Sequence, residues 1–382
     1  KQGSFYFASQ LSVCLWCLPG WSEKLTEGGN YVEQSEIRDR IIKAFRQRVP
    51  RAKLPNPEQL HVEQGSWPNC VRLCLTAETV EKNMQSNSAA FEGWALLIHV
   101  YCKFHVELDL DLEHAPSEQP ARGHYQRFLY RALKFSQQYS GWVSLSERLA
   151  PRVEQFRQYL YHGESPAHPN PTFYNGLPSK PAKDGTSLET CVEGLFAGEC
   201  RSVLTELTFQ QAGISLIPDC VHRQLPVGLY ETEKSEQNSV FTYGKSAVDL
   251  WALTTDGVVI YELKTRNPMV GLLTELMFYA NYMYDLYIAR NRMQPTPPEV
   301  PKGKQIADAG VLRGYKQLYA GYCRDCFSTI HAAMLTDKLH SLIAPVTQEL
   351  LALMNTGGPH IQYYDLRYAL GQDGCPYIPE SV

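Results

Sequence analysis

The chain of 382 residues carries 36 basic against 40 acidic side chains, a net charge of −4. No global field therefore draws in nucleic acid, and a polyanion would have to be held by a local basic patch. The length allows a large core and two domains, and no run of about 18 apolar residues is present to span a membrane.

The opening segment, KQGSFYFASQLSVCLWCLPGW, has one Lys ahead of an apolar stretch. Gln10 and Ser12 interrupt that stretch and no small-residue cleavage site follows, so a strand is expected there rather than a signal peptide. The 11 cysteines, an odd number spread through apolar segments, argue for reduced, mostly buried thiols and a cytoplasmic setting. Cys14/Cys17 and Cys323/Cys326 are CxxC pairs and Cys70/Cys74 a CxxxC. Without knuckle turns around them, core thiols are preferred over a zinc or iron–sulfur site.

EIRDRIIKAFRQRV repeats apolar positions at helical spacing, with Ile37, Ile41 and Phe45 on one stripe. Its other face carries Arg38, Arg40, Lys43, Arg46 and Arg48, followed by Arg51 and Lys53. That face is either simply solvated or a phosphate-contacting patch, in which case Arg40, Lys43, Arg46, Arg48 and Arg51 would meet nucleic acid. HVELDLDLE (105–113) alternates strictly and predicts a strand with Val106, Leu108, Leu110 and Leu112 facing a core. His105, Glu107, Asp109, Asp111 and Glu113 on its other side are read as the protection of an edge strand. Two helices broken near Ser140–Gly141 follow.

Residues 163–186 are Pro-rich with few large aliphatics and predict a linker between an α+β domain, 1–162, and a second domain, 187–382. TSLETCVEGLFAGECRSVLTEL predicts one amphipathic helix, with Glu189 and Glu193 at i and i+4 on a flank. The next signal is Asp256–Gly257, a two-residue hairpin turn of the kind that needs positive φ at both positions. About that turn Asp249 faces Lys264 and Trp251 faces Glu262. Asp249, Glu262 and Lys264 then project from one side of a sheet, while Leu250, Ala252, Val259, Tyr261 and Leu263 face a core on the other.

Two carboxylates beside an ammonium in a strand invite either an internal salt bridge or a divalent cation, since Mg²⁺ is satisfied by one or two protein carboxylates plus water and phosphate oxygens. Asn267–Pro268 predicts a helix start immediately after the charged strand, and places Glu275 and Tyr279 at i and i+4 on that helix. A second Pro-rich stretch, 294–304, is expected as an exposed loop. No phosphate-cradling Gly-rich loop is present, which weighs against an NTPase or a hydrolase of small phosphate esters.

A helix with Glu, then D-x12-E-x-K across a hairpin, then another helix resembles the PD-(D/E)XK nuclease superfamily over residues 187–292. The resemblance implies a restriction-endonuclease-like α/β/α core with a central mixed sheet. It makes Asp249, Glu262 and Lys264 catalytic and assigns Mg²⁺ or Mn²⁺ to Glu189, Asp249 and Glu262, with Glu193 as the fallback acid. Glu275-x3-Tyr279 is similar to the Q-x3-Y motif of the RecB-like branch, with Glu in place of Gln. That substitution calls for a nearby cation, of which Arg266, itself a candidate phosphate contact, is one. Cys323, Cys326 and Cys375 do not reproduce the cluster-binding spacing of some RecB-like nucleases, so no iron–sulfur cluster is expected. The expected activity is phosphodiester hydrolysis, in DNA rather than RNA, as in a bacterial defence or restriction effector. The N-terminal domain would take substrate, a signal, a partner protein or a second copy of the chain. The rival expectation is a catalytically inactive nuclease-like module for nucleic-acid binding or assembly.

Overall fold

The computed structural model describes residues 29–111, 122–163, 172–178, 180–243, 246–298 and 312–380. The opening segment with Cys14 and Cys17, the strand end at Leu112 and Glu113, and residues 299–304 lie outside them. Among the described residues no helix is long and apolar enough to cross a membrane.

Helix α1 (Gly29–Arg46) buries Ile37, Ile41 and Phe45, as the spacing predicts. It leads into strands β1 (His61–Gln64) and β2 (Cys70–Thr76), helices α2 (Ala77–Glu81) and α3 (Phe91–Cys102), strand β3 (His105–Asp111), helix α4 (Arg122–Gln138), strand β4 (Val143–Leu145) and helix α5 (Ala150–Arg157). The sheet order is β1-β2-β3-β4, with β1 antiparallel and the rest parallel. An α+β layout was expected here, but α3 and α4 lie in the connections between successive strands, which is what parallel pairing requires.

β3 is an interior strand, not the expected edge. Its acids are internal ion partners: Arg72 Nε donates to Glu107 Oε2 at 2.9 Å, while Arg148 and Ser146 both donate to the fully buried Asp109. The alternating pattern was right about faces; the partners that make a buried acidic row tolerable come from other segments. The cysteines divide similarly. Cys70 and Cys74 are buried in β2, whereas Cys323 and Cys326 are exposed, contrary to a core reading for that pair.

In the stretch expected as linker, β5 (Phe173–Asn175) forms a strand of a small sheet with β7 (Leu229–Tyr230) and β10 (Met293–Gln294). The expected single helix after it is two, α6 (Leu188–Ala197) and α7 (Arg201–Ala212), broken at Gly198. Ser187 caps α6 by accepting from Thr190 N at 3.1 Å.

The main sheet is five-stranded and mixed: β12 (Ile361–Arg367), β11 (Thr329–Thr336), β9 (Gly257–Lys264), β8 (Ser246–Leu253) and β6 (Val221–Val227), in that order. β11 runs parallel to β9 and β12, while β8 is antiparallel to β9 and β6. Val192 and Phe196 of α6 and Leu204 and Leu207 of α7 pack on Leu250, Ala252, Val259, Tyr261 and Leu263. On the opposite face, Leu272, Leu273 and Leu276 of α8 (Gly271–Tyr284) join Trp251, Ile260, Ala332 and Met334. The chain is thus a mixed α/β protein with helices on both faces of its central sheet.

α8 begins at Gly271, not beside Asn267–Pro268 as expected, and thirteen of its fourteen residues are buried. A helix this apolar all round needs cover on every side, and the N-terminal half supplies it. A Cβ on Gly271 would lie 2.4 Å from Gln85 Cα, and one on Gly93 would lie 2.7 Å from Val270 Cγ1, so two glycines let the N-terminal backbone touch the start of α8. Buried polar ties reinforce the contact. Lys134 Nζ donates to Asp285 Oδ1 at 2.6 Å, with Tyr130 and Tyr161 hydroxyls on Asp285 Oδ2 at 2.8 and 2.9 Å. One hydrophobic core consequently runs from Ile37 of α1 to Met354.

Candidate active site

The hairpin of β8 and β9 turns one step earlier than its Asp–Gly signal suggests. Thr254 N donates to Gly257 O at 3.0 Å, so Thr255 and Asp256 make the turn, and neither Asp256 nor Gly257 has a positive φ. Gly257 serves a different need. It pairs with Thr329, whose carbonyl oxygen would lie 2.0 Å from any Cβ placed there. The strands pair Leu250 with Tyr261 and Trp251 with Ile260, two residues from the expected register. Continuing that register, Asp249 stands level with Glu262 rather than with Lys264. A shift of two preserves the faces, because strand side chains alternate with period two. Asp249, Glu262 and Lys264 therefore still share one side.

Pairing stops where the carboxylate enters. Asp249 Oδ2 accepts from Leu263 N at 2.9 Å, replacing a ladder bond with a side-chain bond. On the other flank the ladder skips Gln224, which would oppose Asp249 and holds φ at 54°. A non-glycine residue held in the left-handed region stores local strain, and such strain clusters at sites. The opening continues into a cleft of about 680 Å³ lined by Asp249, Glu262, Glu193 and Glu275, and by Gln85 and Arg127 from the N-terminal half.

Lys264 is the hub of the cluster. Its Nζ lies 2.7 Å from Glu262 Oε1 and 2.9 Å from the Leu263 carbonyl, with Glu189 Oε1 at 3.6 Å and Glu275 Oε2 at 3.8 Å. Lys264 and Glu262 are 1% and 2% exposed, so their mutual contact is little screened. Burial, then the Glu262 charge, push the Asp249 carboxyl well above the usual range; burial, then Glu275, do the same to Glu262. Burial works against the Lys264 ammonium, but Glu262, Asp249 and Glu275 outweigh it and hold its pKa above the lysine range. Among the described residues Glu262 Oε2 is buried and accepts no hydrogen bond, although the Glu275 carboxyl is close enough to share a proton with Glu262. Four carboxyls around one ammonium leave a surplus of acid, and the raised pKa of Asp249 and Glu262 means that protons offset part of it unless another cation does.

Among the described residues, no group of three or more His, Cys, Asp and Glu side chains is arranged to hold a metal unaided. The oxygens of Glu262 and Leu263 nevertheless converge on one cationic atom, Nζ, and an orphaned carboxylate oxygen remains beside it. Asp249 and Glu262 together fit the small protein share of a Mg²⁺ shell completed by water and substrate oxygens.

Of the two candidate acids on α6, Glu189 reaches Lys264 and stays partly exposed, while Glu193 is buried and lines the cleft. Burial raises the Glu193 carboxyl from 4.5 to about 7. The folded chain then binds this proton more tightly than the unfolded chain, so stability falls as pH rises from about 4.5 to 7 and stays lower above. Glu193→Gln, which never ionises, should melt like the wild type near pH 4.5 and higher than it near pH 8. An equal difference at both pH values in thermal melts would remove this titration from the site.

Glu275 and Tyr279 both line the cleft on one face of α8. The cation within ion-pair distance of Glu275 is Lys264, not Arg266, and Gln85 Nε2 donates to its Oε2 at 2.6 Å. Arg266 is exposed, away from the cleft lining, with its backbone N donating to Asp337 Oδ1 at 2.9 Å. The basic residues of α1 do not line the cleft either. Arg40 bonds Asn69 and lies over the Phe104 ring, Arg46 bonds the Ala52 carbonyl, and Arg48 pairs with Glu349 at 2.7 Å. Lys43 and Arg51 are exposed. Gln85 and Arg127 carried no signal in the sequence, because no local motif marks a residue delivered to a site from a distant segment. No protein-family model, curated protein or solved structure matches the chain, so the reading of the site rests on its own geometry.

Proposed function

We propose that the chain is a Mg²⁺- or Mn²⁺-dependent nuclease of the PD-(D/E)XK kind, with a restriction-endonuclease-like core, and that it hydrolyses phosphodiester bonds, DNA being favoured over RNA. One observation carries the reading: Asp249 and Glu262, level with each other on adjacent strands, line an open cleft, and the buried Lys264 donates to Glu262. A plain internal salt bridge would need one carboxylate for one ammonium. Here Asp249, Glu262, Glu275 and Glu189 surround a single ammonium.

Asp249 and Glu262 would hold the cation, with Glu189 beside them. When bound, the ion supplies positive charge at the phosphodiester and makes water more acidic. Lys264, fixed by Glu262 and the Leu263 carbonyl, keeps its charge through the working pH range and presents it to the attacking water or to the developing phosphoryl charge. Glu275 and Tyr279 line the approach to that point, with Gln85 holding the Glu275 carboxylate. The direct test is incubation of the full chain with circular DNA, linear DNA and RNA. Cleavage should appear with Mg²⁺ or Mn²⁺ and vanish in excess EDTA, while Ca²⁺ should allow binding with poor turnover. Cleavage that persists in excess chelator would rule out the site described.

A further inference from the structure

The same cleft has one buried cation whose needs the protein leaves unmet. Arg127 of α4 is 5% exposed and lines the cleft beside Glu275 and Tyr279. Among the described residues its guanidinium makes only long contacts: Nη1 to Thr242 Oγ1 at 3.3 Å, Nη2 to the Lys82 carbonyl at 3.4 Å, and Nη2 to His124 Nδ1 at 3.3 Å. Nε is buried with no hydrogen-bond partner.

Among the described residues no carboxylate stands within ion-pair distance of it. The two acids nearest in effect are engaged elsewhere, Glu92 by both arms of Arg131 at 2.8 and 2.5 Å, Glu275 by Gln85 and Lys264. Burial, then the Arg131 charge, lower its pKa to about 10, so the group remains charged at neutral pH while lacking the anion that would offset its desolvation. A buried, unpaired guanidinium is expensive. Arginine's planar fork is also the side chain best matched to phosphate. Its neighbour Arg131, one turn along the same helix, shows the contrast of a satisfied arginine, chelated by Glu92.

We propose that Arg127 is a phosphate-binding residue of this cleft, taking one phosphate of the nucleic-acid substrate on the wall contributed by the N-terminal half. The assignment rests on the nuclease reading for the nature of the substrate, but not for the presence of an anion subsite. It gives the N-terminal half a share in substrate binding, which the basic face of α1 does not provide at the cleft.

The test compares full-length wild type with Arg127→Gln and Arg127→Lys. Binding of a fluorescent DNA duplex is measured in Ca²⁺ across a salt series, and thermal melts are run with and without inorganic phosphate. Arg127→Gln should bind the duplex about tenfold or more weakly, with a salt slope shallower by about one. Arg127→Lys should keep the slope and lose part of the affinity, because it retains the charge without the fork. Phosphate should raise the wild-type melting temperature and leave that of Arg127→Gln unmoved. A purely structural arginine would lower the melting temperature of the variants without changing the salt slope, and an unchanged slope with equal phosphate protection overturns the proposal. If the wild type neither binds nor cuts nucleic acid, the nuclease reading fails, and the phosphate melts still decide the subsite. Protection lost in Arg127→Gln upholds it, and equal or absent protection in the wild type overturns it. Should Arg127→Gln fail to fold, the slope and phosphate protection of Arg127→Lys take its place: a lost slope or unaltered duplex affinity counts against the assignment.

Discussion

Lys264→Ala should slow single-turnover cleavage by about a hundredfold or more, the scale of losing one positioned electrostatic contact in a transition state. The expectation follows from the position of Nζ. It is held at 2.7 Å from Glu262, which lines the cleft, and 2.9 Å from the Leu263 carbonyl. Among the described residues Lys264 is also the only cation within ion-pair range of Glu262 and Glu275. Its removal should therefore lower the melting temperature in EDTA, and added Mn²⁺ should recover much of that loss by restoring positive charge to the acidic floor. The two readouts separate chemistry from folding. Wild-type cleavage by Lys264→Ala, or a melting temperature that Mn²⁺ leaves untouched, would return the lysine to a structural ion pair.

The second large effect concerns stability and lies outside the cleft. Asp285→Ala should cost about 3–5 kcal/mol, the usual penalty for breaking a buried pair from one side. Asp285 is fully buried, and its two oxygens satisfy Lys134, Tyr130 and Tyr161 together. Without it the Lys134 ammonium, which lies 5.2 to 5.8 Å from the centroids of three tyrosine rings, keeps no carboxylate partner among the described residues. Replacing both charges, Lys134→Met with Asp285→Leu, should recover most of the loss, since no ion then remains buried alone. Urea unfolding of the three proteins checks this. A single-variant cost below about 1 kcal/mol, the range of exposed pairs, would mean that the network is not what joins α4 to the end of α8.

The reach of sequence reasoning differs from residue to residue in this protein. The shared face of Asp249, Glu262 and Lys264 was legible because only the parity of their spacing matters, and parity survived a two-residue error in register. The register itself was not. Asp256–Gly257 looks like a turn that uses glycine for its backbone freedom, whereas Gly257 is used for the close approach of Thr329. The acidic row of β3 read as an edge because its compensating arginines, Arg72 and Arg148, come from other segments, and nothing in the alternation announces them. The start of α8 was placed too early for a related reason. Asn267–Pro268 is a good local start signal, but the helix begins where Gly271 allows Gln85 to pack. Arg127 and Gln85 reach the site through that packing, which only the folded chain displays.

The central claim is that Asp249 and Glu262 are brought level in order to hold a divalent cation. It is tested most directly by calorimetric titration of Mn²⁺ into EDTA-stripped wild type and Glu262→Gln, the amide keeping the shape of the carboxylate while removing its charge. Glu262 Oε2, buried and accepting no hydrogen bond among the described residues, is the oxygen in question. The wild type should take up Mn²⁺, and Glu262→Gln, melting at or above the wild-type temperature without metal, should bind it about a hundredfold more weakly or not at all. Equal Mn²⁺ uptake by the two proteins, or none by the wild type, would contradict the claim.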